Sequence, residues 1–106
     1  MIPSGAKPWS ETAAGTDSGA AATHAAETNK YHFVTSISGH IDADTVVTIK
    51  DGSTIVWESK IDVSVEGWQI VTPSGLHIPI TGGAACSGNI AASSADCQIN
   101  INGYTL

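Results

Sequence analysis

The chain has 106 residues, ten acidic side chains against four basic ones, a net charge of −6 and no arginine. That length suits one domain and is short for two. With Lys7, Lys30, Lys50 and Lys60 as the only cations, there is no concentrated basic surface, so neither nucleic acid nor an anionic membrane is an expected partner.

Charged residues make up 13% of the chain, so Ser, Thr, Asn, Gln and Gly must cover much of the surface. Such a surface suits a protein that packs flat against another protein. No stretch approaches the roughly 20 apolar residues of a membrane helix. The opening residues, Met1 to Pro8, lack the basic start and apolar run of a secretory leader.

Residues 1–22 are rich in Ala, Gly, Ser, Thr and Pro, and Trp9 is their one large apolar side chain beyond Ile2. A segment of that composition buries too little surface to offset its ordering entropy. It is expected to be an extended, flexible arm, either a disordered tail or a segment that orders on a partner with Trp9 as anchor, because Trp is favoured at interfaces. Residues 23–106 are expected to form one β-sandwich domain.

Within that domain a short strand is expected near Ala22–Thr28. Tyr31–Ile37 follows, with Tyr31, Phe33, Thr35 and Ile37 on one face by simple alternation. Thr45–Lys50 and Thr54–Glu58 flank Asp51-Gly52, the signature of a type I′ hairpin. Gly67–Val71, Leu76–Ile78, Ala84–Ala92 and Asp96–Tyr104 complete the set, with Pro79 confining its run to an edge. The last segment alternates cleanly, with Cys97, Ile99 and Ile101 on one face and Gln98, Asn100 and Asn102 on the other. About eight strands at this spacing point to an all-β, antiparallel sandwich, an eight-stranded jelly roll. An immunoglobulin-like sandwich is disfavoured, because Cys86 and Cys97 lie too close in sequence for its disulfide.

Candidate chemistry is sparse. Cys86 and Cys97 sit on consecutive strands, as two buried thiols or a disulfide across a hairpin. Neither they nor His24, His32, His40 and His77 have zinc-site spacing, and the histidines are expected to lie apart, so no metal site is assigned. Asp42-Ala43-Asp44 lacks the rest of a calcium loop and shapes a turn instead. No nucleophile elbow or phosphate loop is present. No cofactor and no catalytic residues are expected, and the chain is not expected to be an enzyme.

Three segments carry a resemblance: Lys30-Tyr31-His32-Phe33-Val34-Thr35-Ser36-Ile37-Ser38-Gly39, Val47-Thr48-Ile49-Lys50-Asp51-Gly52-Ser53-Thr54-Ile55-Val56-Trp57-Glu58, and Asn100-Ile101-Asn102-Gly103-Tyr104-Thr105-Leu106. Behind the Ala/Gly/Thr-rich arm they resemble the small β-sandwich decoration, or cement, proteins of tailed-bacteriophage capsids. The resemblance implies a viral structural protein made in the host cytoplasm and carried on the virion. It also implies a homotrimer that binds the major capsid protein on the outer shell and bridges neighbouring subunits. The arm residues Ile2, Pro3, Lys7, Pro8 and Trp9 would then make the capsid contact. A tail-fibre receptor-binding or carbohydrate-binding module is the alternative, with an exposed aromatic side chain as its mark.

Overall fold

The computed structural model describes residues 4–16, 19–62, 69–70, 75–91 and 96–106. Within these residues nine strands run in the order β1 (Lys7–Thr16), β2 (Ala20–His24), β3 (His32–Ile41), β4 (Thr45–Asp51), β5 (Thr54–Ile61), β6 (Gln69–Ile70), β7 (Ile78–Pro79), β8 (Cys86–Ile90) and β9 (Asp96–Thr105). Among the described residues there is no helix.

Two antiparallel sheets form. One has the order β1-β9-β3-β6, with β7 also pairing β3; the other is β2-β8-β4-β5. With the two-residue β7 set aside, these are the first, eighth, third and sixth strands against the second, seventh, fourth and fifth. That is the pair of interlocked Greek keys of an eight-stranded jelly roll. Most connections carry the chain from one sheet to the other. Consequently almost every loop lies at an end of the sandwich, and chain neighbours such as β2 and β3 face each other across its interior.

The core follows from strand parity. β9 turns Cys97, Ile99, Ile101 and Gly103 inward, as the alternation requires. β3 answers with Val34, Ile37 and Ile41, and the opposite sheet supplies Val47, Ile49, Cys86 and Ile90. Fully burying one such side chain stabilises the fold by about 1.5–3 kcal/mol.

Three expectations need correction. First, residues 7–16 are no loose arm. They form β1 and pair with β9 from Lys7↔Thr105 to Thr16↔Asp96. Residues 20–24 form β2, paired with β8. Composition missed this because Trp9 and Ala13 pack against the core, and β2 buries only Ala20 and Ala22. Small side chains suffice there, since Ala22 pairs with Gly88.

Second, β3 does not alternate simply. A register shift between Val34 and Ser36 switches parity, so His32 and Val34 point in before it and Ile37 after it. Tyr31 is exposed and Phe33 half-buried. A bulge adds one unpaired residue and turns every later side chain to the other face.

Third, the β4–β5 turn is Gly52-Ser53, closed by Asp51↔Thr54. Of these two residues only Gly52 has positive φ, at 59°. That is the φ pattern of a type II′ turn, one residue later than the expected Asp-Gly type I′.

Candidate functional site

At one end of the interior the apolar layer gives way to a polar cluster. The two strands at its lateral edge are β1 and β2. β1 contributes Trp9 and Glu11, which by register lie level with Gly103 and Ile101 on the inward face of β9. β2 contributes His24, the residue after the buried Ala22 on the same face. The connection after β2 carries Glu27, and β3 begins with His32, whose register partner is Thr105.

These residues meet closely. The Trp9 and His24 rings stack with centroids 4.2 Å apart and planes 7° from parallel. His32 meets His24 edge-on at 4.5 Å and Trp9 at 6.2 Å. Room for the indole depends on Gly103, because a Cβ there would lie 2.6 Å from Trp9 Cζ2. A side chain larger than glycine would push the ring out of the cluster.

The hydrogen bonds orient both imidazoles. His24 Nδ1 lies 2.7 Å from Glu11 Oε2, and a carboxylate only accepts, so Nδ1–H donates. In the neutral ring this leaves Nε2 as a lone pair, and it lies 3.9 Å from Glu27 Oε2. His32 is 1% exposed. Its Nε2 donates to the Ala25 carbonyl at 3.0 Å, and its Nδ1 meets the Thr105 hydroxyl at 2.7 Å. His32 Nε2 also lies 3.9 Å from Glu27 Oε2. Trp9 Nε1 is buried with no hydrogen-bond partner; indole N–H groups usually find one. Beside the cluster opens a cavity of about 230 Å³ whose walls include Lys7, Pro8, Trp9, His24, Glu27 and Lys30.

The residues singled out from sequence divide accordingly. Lys7 and Pro8 are exposed on β1, and Trp9 is turned inward, so it is no free anchor. Ile2 and Pro3 lie outside the described residues. Trp57 is half-buried against the core.

Cys86 and Cys97 are both buried thiols, with no disulfide between them. Cys86 is level with His24, whose ring bonds Glu11, and Glu11 pairs with Ile101. Cys97 lies four residues further along β9, on the order of 14 Å away at strand spacing. A disulfide needs Cα atoms within about 7 Å. Burial, with Asp51 and Glu11 nearby, pushes the Cys86 thiol up to about 12, so it stays protonated and unreactive near neutral pH.

The histidines are where the expectation failed most. His24, Glu27 and His32 converge, each offering one ligand atom within 4.8 Å of the others. Their spacing resembles no metal motif because the convergence is tertiary: the β2–β3 connection crosses between the sheets. One signal was available. His32 has the same parity as Val34, so an inward His32 follows once the β3 bulge is known. A second aromatic group lies on the outer face of the β1-β9-β3-β6 sheet, where Phe33 stacks on His77 and on Tyr104 at 5.2 and 4.8 Å, with those two rings 6.0 Å from each other. His77 Nε2 lies 2.8 Å from the Tyr104 hydroxyl.

No family model matches the chain, and no curated protein matches it. Among solved structures it is similar to a chain of the virus-like particle of extra small virus from the giant freshwater prawn Macrobrachium rosenbergii. The two share 9% identity over 99% of this chain and 82% of that one, with a TM-score of 0.34; a likeness at that level carries no inference about function.

Proposed function

We propose that the chain is a structural protein of a virion, a jelly roll that docks on the outer surface of a bacteriophage capsid as a homotrimer and bridges major capsid subunits. The reading assigns it no catalytic step. The observation that carries it is the apolar outer edge of the four-stranded sheet. β5 is the last strand there, and Ile55 and Val56 are 51% and 40% exposed. The β4–β5 register shifts here, with Ile49 opposite Trp57 and Lys50 opposite Ile55, so Val56 is the extra residue of a bulge and both apolar side chains stand in solvent. Proteins that remain monomeric blunt such edges with charge, proline or bulges. Here Glu58 and Lys60 stand farther along the strand and the bulge at Val56 interrupts its ladder, so Ile55 and Val56 offer a partner an apolar side-chain patch and not a free strand edge.

Two further points support the reading. The resemblance over residues 30–39, 47–58 and 100–106 is to capsid decoration proteins, and those segments are β3, the β4–β5 hairpin and β9, three elements of the jelly roll. The jelly roll itself is common among viral capsid and lectin domains, although a fold alone does not assign a function. Repetition over a symmetric shell multiplies individually weak contacts. The reading puts the partner contact on the β5 edge and not on Trp9; exposed Lys7 and Pro8 stand on β1, at the opposite lateral edge of the sandwich, as a separate patch.

The test is cosedimentation with bare phage capsids, alongside light scattering of the free chain. The reading predicts a trimer that cosediments. A chain carrying Ile55→Ser and Val56→Ser should stay folded and remain in the supernatant. Full capsid occupancy by that variant, or no cosedimentation by the parent chain, overturns the reading. The alternative, a tail-fibre glycan-binding module, is favoured by one observation: Tyr31 is 56% exposed, with Gly82 directly beneath its ring. A blank glycan array removes it.

A further inference from the structure

We infer that His24, Glu27 and His32 form a binding site for a divalent transition-metal ion of the Zn²⁺ class. Two imidazoles and one carboxylate are the donor set that suits such an ion, with a fourth position left for water. Three features of the cluster support the assignment, and they are independent of the capsid reading.

The first is the pairing of acceptors. In its neutral form His24 donates from Nδ1 to Glu11, so its Nε2 lone pair faces the Glu27 carboxylate at 3.9 Å. Two acceptors facing each other repel unless a proton or a metal cation lies between them, so the gap is a place for a cation. Tetrahedral zinc with ligand bonds of 2.0–2.1 Å holds its donors about 3.4 Å apart. Closing 3.9 Å to that distance takes a shift of about half an ångström for each His–Glu27 pair, and the two imidazoles, whose ligand atoms lie within 4.8 Å, close in as well. Glu27 is half-exposed on a connection outside the strands, so it has the freedom to make it.

The second is the outer shell. Metal-binding histidines usually have the other ring nitrogen held by a carboxylate, carbonyl or hydroxyl. Both do here: Glu11 holds His24 Nδ1 at 2.7 Å, and Thr105 holds His32 Nδ1 at 2.7 Å. Both Nε2 atoms are thereby turned toward Glu27. Binding requires His32 to change tautomer. Nε2 gives up its hydrogen bond to Ala25 O, the proton moves to Nδ1, and Nδ1–H donates to Thr105 Oγ1, a hydroxyl able to reverse its role.

The third is access and shape. The cavity of about 230 Å³ is walled by His24, Glu27 and Thr105, which gives the ion a path in and room for a bound water. The cluster is also walled by Trp9, stacked on His24, which fixes the plane of that ligand before any ion arrives. A preorganised ring loses little freedom on binding.

The experiment is calorimetric titration of the full chain with Zn²⁺ near neutral pH. Co²⁺ absorption then reports the ligand geometry. One ion per chain is expected, with a tetrahedral Co²⁺ spectrum and a melting temperature that rises with Zn²⁺ concentration. Glu27→Gln removes a ligand on an exposed connection without touching the core, and at least a tenfold loss of affinity is expected. Glu11→Gln leaves all three ligands in place but weakens the hold on His24 Nδ1, and a 10–100-fold loss is expected. Glu58→Gln, on β5, serves as the control and should bind as the parent does. Absence of 1:1 binding at micromolar Zn²⁺ would overturn the assignment. So would parental affinity in both the Glu27→Gln and Glu11→Gln chains, their fold verified by circular dichroism.

Discussion

The two ends of the space between the sheets have opposite chemistry, although β3 and β9 run through both. Toward the start of β9, Cys97, Ile99 and Ile101 meet Ile37, Ile41, Val47, Ile49 and Ile90 in a continuous apolar layer. Toward its end, the same inward face carries Gly103 and Thr105, and the neighbours become Trp9, Glu11, His24 and His32. The first region is what hydrophobic burial alone would select. The second places a buried histidine and an unpartnered indole N–H in the interior, with the part-exposed carboxylates of Glu11 and Glu27 at its rim. Polar groups kept at such a position point to a ligand. The difference separates residues that hold the sandwich together from residues positioned by it.

The largest perturbation expected is loss of β1. Removing residues 1–16 strips one side of β9 and uncovers His24 and His32. The truncated chain should lose its cooperative melt by circular dichroism; a sharp melt near the parental temperature would return these residues to the status of an arm. Next is Ile101→Ala in the apolar half, expected to lower unfolding free energy in urea by about 2–5 kcal/mol. His32→Leu probes the other half. It leaves the Ala25 carbonyl and the Thr105 hydroxyl unpaired and should cost about 1–3 kcal/mol in the same assay. If it stabilises the chain instead, the histidine is held at the expense of stability, which sharpens the contrast between the halves.

Cys86 gives a smaller, pH-dependent effect. Its thiol titrates near 9.0 ordinarily and at about 12 in the folded protein. Above pH 9 the unfolded chain releases that proton while the native chain keeps it. Stability therefore falls as pH rises from 9 toward 12, and nothing is lost below that window. Urea melts of parent and Cys86→Ala across this range should differ in slope, the variant being flatter. Smallest is the double substitution Ile55→Ser, Val56→Ser. At exposed positions it should shift unfolding free energy by no more than about 0.5 kcal/mol.

Much of this arrangement was legible in the residues, for identifiable reasons. β9 alternates without interruption, so its inward Cys97, Ile99 and Ile101 follow from parity alone. The turn at Gly52 was visible to within one residue. β1 escaped notice and β2 was expected slightly late, at Ala22–Thr28, because their stability is borrowed: each pairs with a strand some 60 to 100 residues away in sequence, and their own side chains are small or polar. The His24–Glu27–His32 cluster was hidden behind two events that leave little local trace. One is the bulge after Val34, which sets the parity of His32, and the other is the crossing from β2 to β3. Trp9 was correctly singled out as unusual, but its role was misplaced, since its packing partner is His24 of the same chain.

The contrast between the two halves is tested most directly by native-state hydrogen exchange along β9, with and without Zn²⁺. The account predicts that amides from Cys97 to Ile101 exchange only through global unfolding under both conditions. Those from Gly103 to Thr105 should exchange through a smaller local opening in the metal-free chain, then slow when Zn²⁺ is added. Uniform protection along the whole strand, unchanged by Zn²⁺, would contradict it.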